Sequence, residues 1–130
     1  MATRDFSVAF RTFVNKHITS IEQIEVLLVL YQDRARLWSI SELSAMLRSS
    51  PNAIGSRIES LKRSRLAQGT AASGYRYSAG GHDDDMVAVL KEQYAMRRFS
   101  VIELVFSPAS GAQLFADAFR FTEEEDERNG

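Results

Sequence analysis

Only one short cluster in this 130-residue sequence has the side chains of a metal site. His82 is followed directly by Asp83, Asp84 and Asp85, and histidine and carboxylate groups are common metal ligands. Adjacent acidic residues cannot all point at one ion, however, and no second cluster of ligands follows. Acidic residues at this place are more typical of the first turn of a helix, where they stabilise the helix dipole.

Motifs for catalysis or cofactor binding are missing from the sequence. The chain has no cysteine, which excludes disulfides and zinc sites built from thiolates. It has no glycine-rich loop for nucleotide phosphates, and its other histidine, His17, lies on an otherwise apolar stripe. We therefore expect no catalytic residues, no metal and no cofactor.

A different group of polar and basic side chains is centred on a predicted helix over residues 51–64. Three apolar residues at spacings of four and three form its buried face, namely Ile54, Ile58 and Leu61. The opposite face is polar and carries Asn52, Ser56, Glu59 and Arg63. This pattern predicts an amphipathic helix with one side free to contact a partner.

The polar face has residue types that read DNA. In the major groove asparagine pairs with adenine and arginine pairs with guanine, so we expect Asn52 and Arg63 to contact bases. Small residues such as Ser56 let a helix approach the bases closely. Glu59 repels phosphate, so it either accepts from a cytosine amine or pairs with Lys62 or Arg63. The alternative is an ordinary solvated helix face.

Phosphate contacts are expected at the margins of this face. Arg57 and Lys62 flank it, and Ser49 and Ser50 precede the first amides of the helix, where an anion can bind. Arg76 is the strong cation of a following hairpin. The predicted DNA-binding residues are therefore Ser49, Ser50, Asn52, Ser56, Arg57, Lys62, Arg63 and Arg76.

Local signals predict the helices that hold these residues. Ser39 and Glu42 have the spacing of a capping box, and the apolar residues after Ser39 share one helical face, namely Ile40, Leu43, Met46 and Leu47. Ser50 followed by Pro51 starts the next helix, because serine caps and proline at the first position loses no useful donor. Together these signals predict a helix, a tight turn and a second helix.

A hairpin is predicted after the second helix. The small residues 71–74 separate two short segments, which is a weak hairpin signal. Tyr75 and Tyr77 alternate with Arg76, so both rings lie on one face and the charge on the other. Residues 37–38 are expected to form a short strand that pairs with this hairpin, with Trp38 anchored in the core.

Residues 20–78 resemble the winged helix-turn-helix of bacterial transcription regulators. The segments that match are "WSISELSAML", "SSPNAIGSRIESLKRSRLA" and "GYRY". The resemblance implies that the second helix enters the DNA major groove and that the hairpin, or wing, touches the adjacent backbone. It also suggests that an additional N-terminal helix packs at a dimer interface.

The charge distribution agrees with this resemblance. The net charge is −1, but residues 37–80 carry six Lys/Arg against two Asp/Glu, whereas residues 81–130 carry five against eleven. Positive charge concentrated in the helix-turn-helix and wing is expected for a DNA-binding surface.

Helices are also predicted on both sides of the helix-turn-helix. One runs from about Arg4 to His17, with Phe6, Phe10, Phe13 and Val14 on one stripe, and it packs either at a dimer interface or on the core of its own chain. The next is capped by Thr19 or Ser20 and ends near Asp33, with Gln23 at capping-box distance from Ser20. Its predicted buried stripe is Ile21, Ile24, Leu27, Leu28 and Tyr31.

The C-terminal part predicts one long helix over about residues 84–106. Its apolar stripe contains Val87, Leu90, Tyr94, Val101 and Val105. The alternative ends the helix at Arg97 or Arg98 and makes residues 100–107 a strand. A helix of about 20 residues is roughly 30 Å long and exceeds what a three-helix core covers. The residues expected at a homodimer interface are therefore Phe6, Phe10, Phe13, Val87, Leu90, Tyr94, Val101 and Val105.

The whole chain is expected to be mainly α, with a small β-hairpin wing. The predicted regions are an N-terminal helix (1–18), the winged helix-turn-helix (19–80), a helical dimerisation region (81–121) and an acidic disordered tail (122–130). Within the dimerisation region a short amphipathic helix is predicted, with Leu114, Phe115, Ala118 and Phe119 on its apolar side. The longest apolar run, residues 26–31, is too short to cross a membrane. No signal-peptide pattern is present, and a cytoplasmic location fits.

Two functions fit these features. The first is a homodimeric, sequence-specific transcription regulator whose two recognition helices enter successive major grooves about 34 Å apart. The second is a winged helix used as a protein-interaction module that does not bind DNA. Glu59, the short wing and the near-neutral total charge favour the second function.

Overall fold

The fold is taken from a computed structural model, which describes residues 6–106. Along this part of the chain the helices and strands occur in the order α1 (Val8–His17), α2 (Ile21–Gln32), α3 (Ile40–Leu47), α4 (Pro51–Arg63), β1 (Ala67–Thr70), β2 (Gly74–Tyr77), α5 (Gly81–Met96) and α6 (Arg98–Phe106). The protein is mainly α with a small antiparallel hairpin, as the sequence predicts. The predicted helix around residue 115 and the acidic tail lie outside the described residues.

Serine caps start the first four helices. Ser7, Ser20, Ser39 and Ser50 each accept a hydrogen bond from the amide three residues on. At Ser39 the capping box is complete, because the Glu42 carboxylate accepts from the Ser39 amide at 3.0 Å. These bonds satisfy amides that have no partner inside the helix, and the starts predicted at Ser20, Ser39 and Ser50 are confirmed.

Gln23 differs from the prediction. It does not reach back to Ser20 but is fully buried, where its oxygen accepts from the Thr19 amide at 2.8 Å and its nitrogen donates to the His17 carbonyl at 2.7 Å. The Gln23 side chain therefore supplies hydrogen-bond partners to backbone groups of the turn between α1 and α2. Its own buried oxygen and nitrogen are hydrogen-bonded in return.

The predicted hairpin is present, and its side chains have the predicted faces. Gln68 lies opposite Arg76 and Gly69 opposite Tyr75. Tyr75 and the following tyrosine, Tyr77, are buried, whereas Arg76 is exposed. Trp38 forms an isolated antiparallel bridge with Tyr75, with both backbone hydrogen bonds at 2.8 Å, and its indole is buried.

α2 is the central helix of the fold. It packs against α3, α4, α5 and β2. Val26 and Leu30 are fully buried together with the predicted Ile24 and Leu27, while Ile21, Leu28 and Tyr31 are only partly buried. The predicted single stripe was too narrow, because a helix surrounded by neighbours buries more than one face.

The predicted single long C-terminal helix is wrong. The alternative correctly ended the first helix near Arg97, but the residues that follow form a second helix and not a strand. α5 ends at Met96, Arg97 leaves helical geometry at φ −133° and ψ 55°, and α6 begins at Arg98. The bend lets α6 turn back and pack on both α1 and α5. Val101 and Leu104 are thereby buried in the same chain, instead of extending away from the core.

The side chains predicted to face a second protomer are covered by their own chain. All are buried in one continuous core except Val105, which is partly buried against that core; the buried ones are Phe6, Phe10, Phe13, Val87, Leu90, Tyr94 and Val101. The N-terminal helix thus docks on its own chain, which was the second of the two predicted arrangements. The need for a partner to cover this stripe disappears, and the homodimer itself stays a prediction.

Candidate nucleic-acid interface

α4 presents a polar face to solvent. Ile54, Ile58 and Leu61 are fully buried against the core, and the side chains predicted to point outward are all exposed, namely Asn52, Ser56, Glu59 and Arg63. Apart from the adjacent residues and the backbone of α4 itself, no atom lies within 4 Å of the position that a Cβ on Gly55 would take. The helix therefore has an open, small-residue surface over its first half.

The turn before α4 is held by Ser44 of α3. The Ser49 amide donates to the Ser44 carbonyl at 3.0 Å, and the Ser44 hydroxyl donates to the Ser49 carbonyl. Arg48 ends α3 in the left-handed conformation, with φ 55° and ψ 49°. Ser50 then caps α4. These contacts fix the angle between α3 and α4, which pack directly on each other.

Arg57 and Ser49, both in the predicted DNA-binding set, contact Glu22 inside the protein instead. Arg57 donates its Nε–H to Oε1 of Glu22 on α2 at 3.0 Å, and both side chains are partly buried. A hydrogen bond from Ser49 and the pairing with Arg57 lower the pKa of the Glu22 carboxyl, against the opposing effect of burial. Glu22 thus joins α2, the turn and α4, and it neutralises the charge of Arg57.

The other predicted cations remain on the surface. Lys62 pairs loosely with Glu59 at 3.8 Å and lies 5.6 Å from the centre of the Tyr75 ring. In the described part of the chain, Arg63 donates to the hydroxyl of Ser60 at 3.1 Å. Of the alternatives for Glu59, pairing with Lys62 is the one observed.

On the hairpin, Arg76 is held by a neutral neighbour. With its side-chain amide oriented to accept, Gln68 takes two hydrogen bonds from Arg76, 2.9 Å from Nη2 and 3.0 Å from Nε. The two residues face each other directly across the strands. The guanidinium is therefore oriented without losing its charge, and its Nη1 edge stays available.

Two further arginines were not in the predicted set. Arg48 precedes the start of α4 and Arg65 follows its end, and both are exposed and left-handed, with φ 55° and 62°. Within residues 6–106, no acidic side chain pairs with Arg48, Arg63, Arg65 or Arg76. Basic residues immediately outside a candidate recognition helix are the sequence signal that would have indicated the two missing ones.

The His82–Asp85 cluster has a structural role in the described part of the chain. Asp83 and Asp84 lie in the first turn of α5. Asp84 Oδ1 accepts from the Tyr77 hydroxyl at 2.7 Å and from Arg34 Nη2 at 2.9 Å. The Arg34 guanidinium also lies between the rings of Tyr31 and Tyr77. These contacts join α5 to α2 and the hairpin, and among residues 6–106 no group of three possible ligands could hold a metal ion.

Comparison with family models, with curated proteins and with solved structures finds no match to this chain. The helix-rich shape with one two-stranded hairpin is compatible with a winged helix. Of the helices described, none combines the length and the apolar character needed to cross a membrane.

Proposed function

We propose that this protein binds double-stranded DNA in a sequence-specific manner and regulates transcription, with α4 as the recognition helix of a winged helix-turn-helix. One observation carries the proposal: the exposed polar face of α4 is surrounded by arginines without acidic partners in the described residues. Arg48 and Arg65 flank the two ends of the helix, Arg63 lies on its face and Arg76 on the adjacent hairpin. A charged, uncompensated rim around a polar helix face suits a phosphate backbone on both sides of a groove.

Asn52, Ser56 and Arg63 would make the base contacts. They lie along one side of α4 at spacings of four and seven residues, so they would follow the floor of the major groove. The open space beside Gly55 allows the first half of the helix to approach base edges closely. Arg76, oriented by Gln68, would contact a neighbouring phosphate.

Arg57 is removed from the list of phosphate ligands that we propose. Its guanidinium is paired with Glu22 and points into the domain, so bringing it to a phosphate would first break that pair. Ser50 likewise uses its hydroxyl as the helix cap. The homodimer on a roughly palindromic site is retained as part of the proposal, and its interface is a separate question.

The test is the salt dependence of binding to a library of duplexes, compared between matched charge variants. Arg76→Ala should weaken binding to all sequences and reduce the slope of log K against log salt by about 0.9, because we propose that Arg76 contacts a phosphate. Loss of affinity confined to particular sequences would instead indicate base reading. Lys91→Ala, on the exposed surface of α5, removes the same charge elsewhere and should change neither. Failure of the folded wild-type protein to bind DNA at low salt would reject the proposal.

A protein-interaction module is the second candidate function. It is favoured by two exposed apolar side chains in the helix-turn-helix region, Leu37 before α3 and Met46 on α3. Met46 was expected in the core, but it is 55% exposed, since α3 buries only Leu43 completely. Met46→Ser should abolish partner capture if this surface docks a protein, and it should leave DNA binding unchanged.

A further inference from the structure

Glu59 is the one acidic side chain of α4, and it lies on the polar face of that helix. It follows Ser56 by three residues and precedes Arg63 by four, so the three share one stripe. The Glu59 side chain is 55% exposed, and its carboxylate lies 3.8 Å from Nζ of Lys62. A loose pair at the protein surface contributes little to stability. The fold therefore does not require a carboxylate at this position.

A docking of the polar face into the major groove brings Glu59 to the base edges. Ser56 and Arg63 lie one turn before and one turn after it, so base contacts by these two place the Glu59 side chain between them. The open space beside Gly55 lets this part of the helix approach closely. The carboxylate must then meet a base, because the groove leaves it no route back to bulk solvent.

We propose that Glu59 selects cytosine at one base pair of each half-site, an inference that rests on the proposed function. A carboxylate is an acceptor without a donor. In the major groove guanine presents the acceptors N7 and O6 and thymine presents the acceptor O4, whereas cytosine presents its N4 amine as a donor. Adenine has a donor at N6 but an acceptor beside it at N7. Cytosine is therefore the base whose edge suits Glu59 best.

The selection works mainly by rejection. Guanine or thymine at this position would set an acceptor against the carboxylate, and both groups would be desolvated without a partner. The cations next to Glu59 limit its effect on docking as a whole, since Lys62 lies beside it and Arg63 follows at the next turn. The cost of the negative charge thus falls on the wrong bases, and the face keeps its attraction for phosphate.

The test is selection from a random-sequence duplex library with the full-length wild type, Glu59→Gln and Glu59→Ala. We expect the wild type to select cytosine at one position of each half-site. Glu59→Gln should change that choice to adenine, because a glutamine amide pairs with both N6 and N7 of adenine. Glu59→Ala should accept all four bases there. Preferences at the other positions should stay as in the wild type.

Affinities for four duplexes that differ only at this base pair give the size of the effect. The wild type should bind the cytosine duplex at least about tenfold more tightly than the guanine and thymine duplexes. Glu59→Ala should bring the four affinities close together. Glu92→Ala, at an exposed site of α5, removes the same charge away from α4 and should keep the wild-type ratios. Circular dichroism of each variant checks that the fold is unchanged.

The outcomes distinguish this inference from the proposed function. A folded wild type that binds no duplex at low salt overturns both. Sequence-selective binding in which both Glu59 variants select the same bases as the wild type overturns the role of Glu59 alone. An equal loss of affinity for all four duplexes in the variants also overturns that role, because it would mean that Glu59 only supports α4. Glu59→Gln keeps the size of the side chain, so it remains decisive if Glu59→Ala loosens the helix.

Discussion

Glu22 Oε1 lies 3.0 Å from Nε of Arg57 and ties the central helix α2 to the candidate recognition helix α4. The same carboxylate accepts from Ser49 in the turn before α4. One acidic side chain therefore sets the orientation of α4 and cancels the charge of one of its arginines. The two effects can be separated by experiment, because loss of the Glu22 charge should lower the stability of the fold but raise the affinity for DNA.

Replacing Glu22 with glutamine should destabilise the fold and strengthen DNA binding. The isosteric change loses the ion pair and weakens the bond from Ser49, at a cost of about 1 kcal/mol in the free energy of unfolding. Arg57 then regains an uncompensated charge beside the α4 face, so the salt dependence of DNA binding should steepen. Urea unfolding and a DNA titration measure the two effects. Equal losses of stability and affinity would mean that Glu22 only supports the structure.

The stability difference between wild type and Glu22→Gln should depend on pH. The pKa of the Glu22 carboxyl is lowered in the folded protein from its ordinary value of 4.5, first by the hydrogen bond from Ser49. A depressed pKa contributes stability that is present above the unfolded pKa and is lost as the pH falls through the folded pKa. Unfolding experiments should therefore give a full difference at neutral pH and a shrinking one below about pH 4.5. A constant difference down to pH 2 would contradict this account.

Tyr77→Phe should destabilise the protein at neutral pH, and the effect should disappear in alkali. The Tyr77 hydroxyl donates to Asp84 at 2.7 Å, and burial, followed by this bond and the negative charge of Asp84, raises the tyrosine pKa. We expect a loss of about 1–2 kcal/mol at pH 7. A raised pKa contributes stability below the unfolded value of 10.0 that is lost as the pH rises above it.

The control for Tyr77→Phe is Tyr75→Phe in the same strand. Tyr75 is also buried, but no hydrogen bond of its hydroxyl is present among the described residues. Removal of the Tyr75 hydroxyl should have only a small effect on stability at pH 7. If both variants behaved alike, the contact with Asp84 would contribute nothing to the docking of α5 on the hairpin.

Ser39→Ala should cost about 1 kcal/mol of stability. The Ser39 hydroxyl accepts from the Glu42 amide at 3.0 Å as half of the capping box. Ser41→Ala, two residues later at an exposed site of α3, removes the same hydroxyl without a cap and should change stability by less than about 0.5 kcal/mol. Thermal or urea unfolding of the two variants makes the comparison. Similar values would show that solvent replaces the cap without loss.

Gly69→Ala should disrupt the hairpin. Gly69 has φ 135°, a conformation that side chains rarely adopt, and an added Cβ would collide with the carbonyl of Gly74. The expected cost is about 2 kcal/mol or more, measured by urea unfolding. Gly80→Ala serves as the control, since the space around Gly80 is open and its φ is −141°. A tolerated Gly69→Ala would mean that the hairpin rearranges easily.

Features that depend on residues a few positions apart were predictable from the sequence. The caps at Ser20, Ser39 and Ser50 and the outward face of α4 are set by local hydrogen bonds and by the helical period. The alternation of Tyr75, Arg76 and Tyr77 similarly follows from the strand period. These are properties of short segments, so neighbouring sequence is sufficient to determine them.

Features that depend on distant residues were not predictable in the same way. The pairing of Arg57 with Glu22 joins positions 35 residues apart, and a charge pattern read along one helix assigned Arg57 to phosphate instead. The apolar stripe of residues 84–106 fits a straight helix as well as a bent one. The sequence of this segment does not show whether a second protomer or α1 covers its apolar stripe.

The sequence by itself thus determined where the helices α2 to α4 and the hairpin begin, and which side of α4 is polar, because caps and periodicity act over a few residues. Only the tertiary structure decided which arginines keep their charge and where the C-terminal helix bends. Those outcomes depend on what packs beside each side chain: Glu22 is close enough to neutralise Arg57, and α1 supplies the apolar surface onto which α6 turns at Arg97.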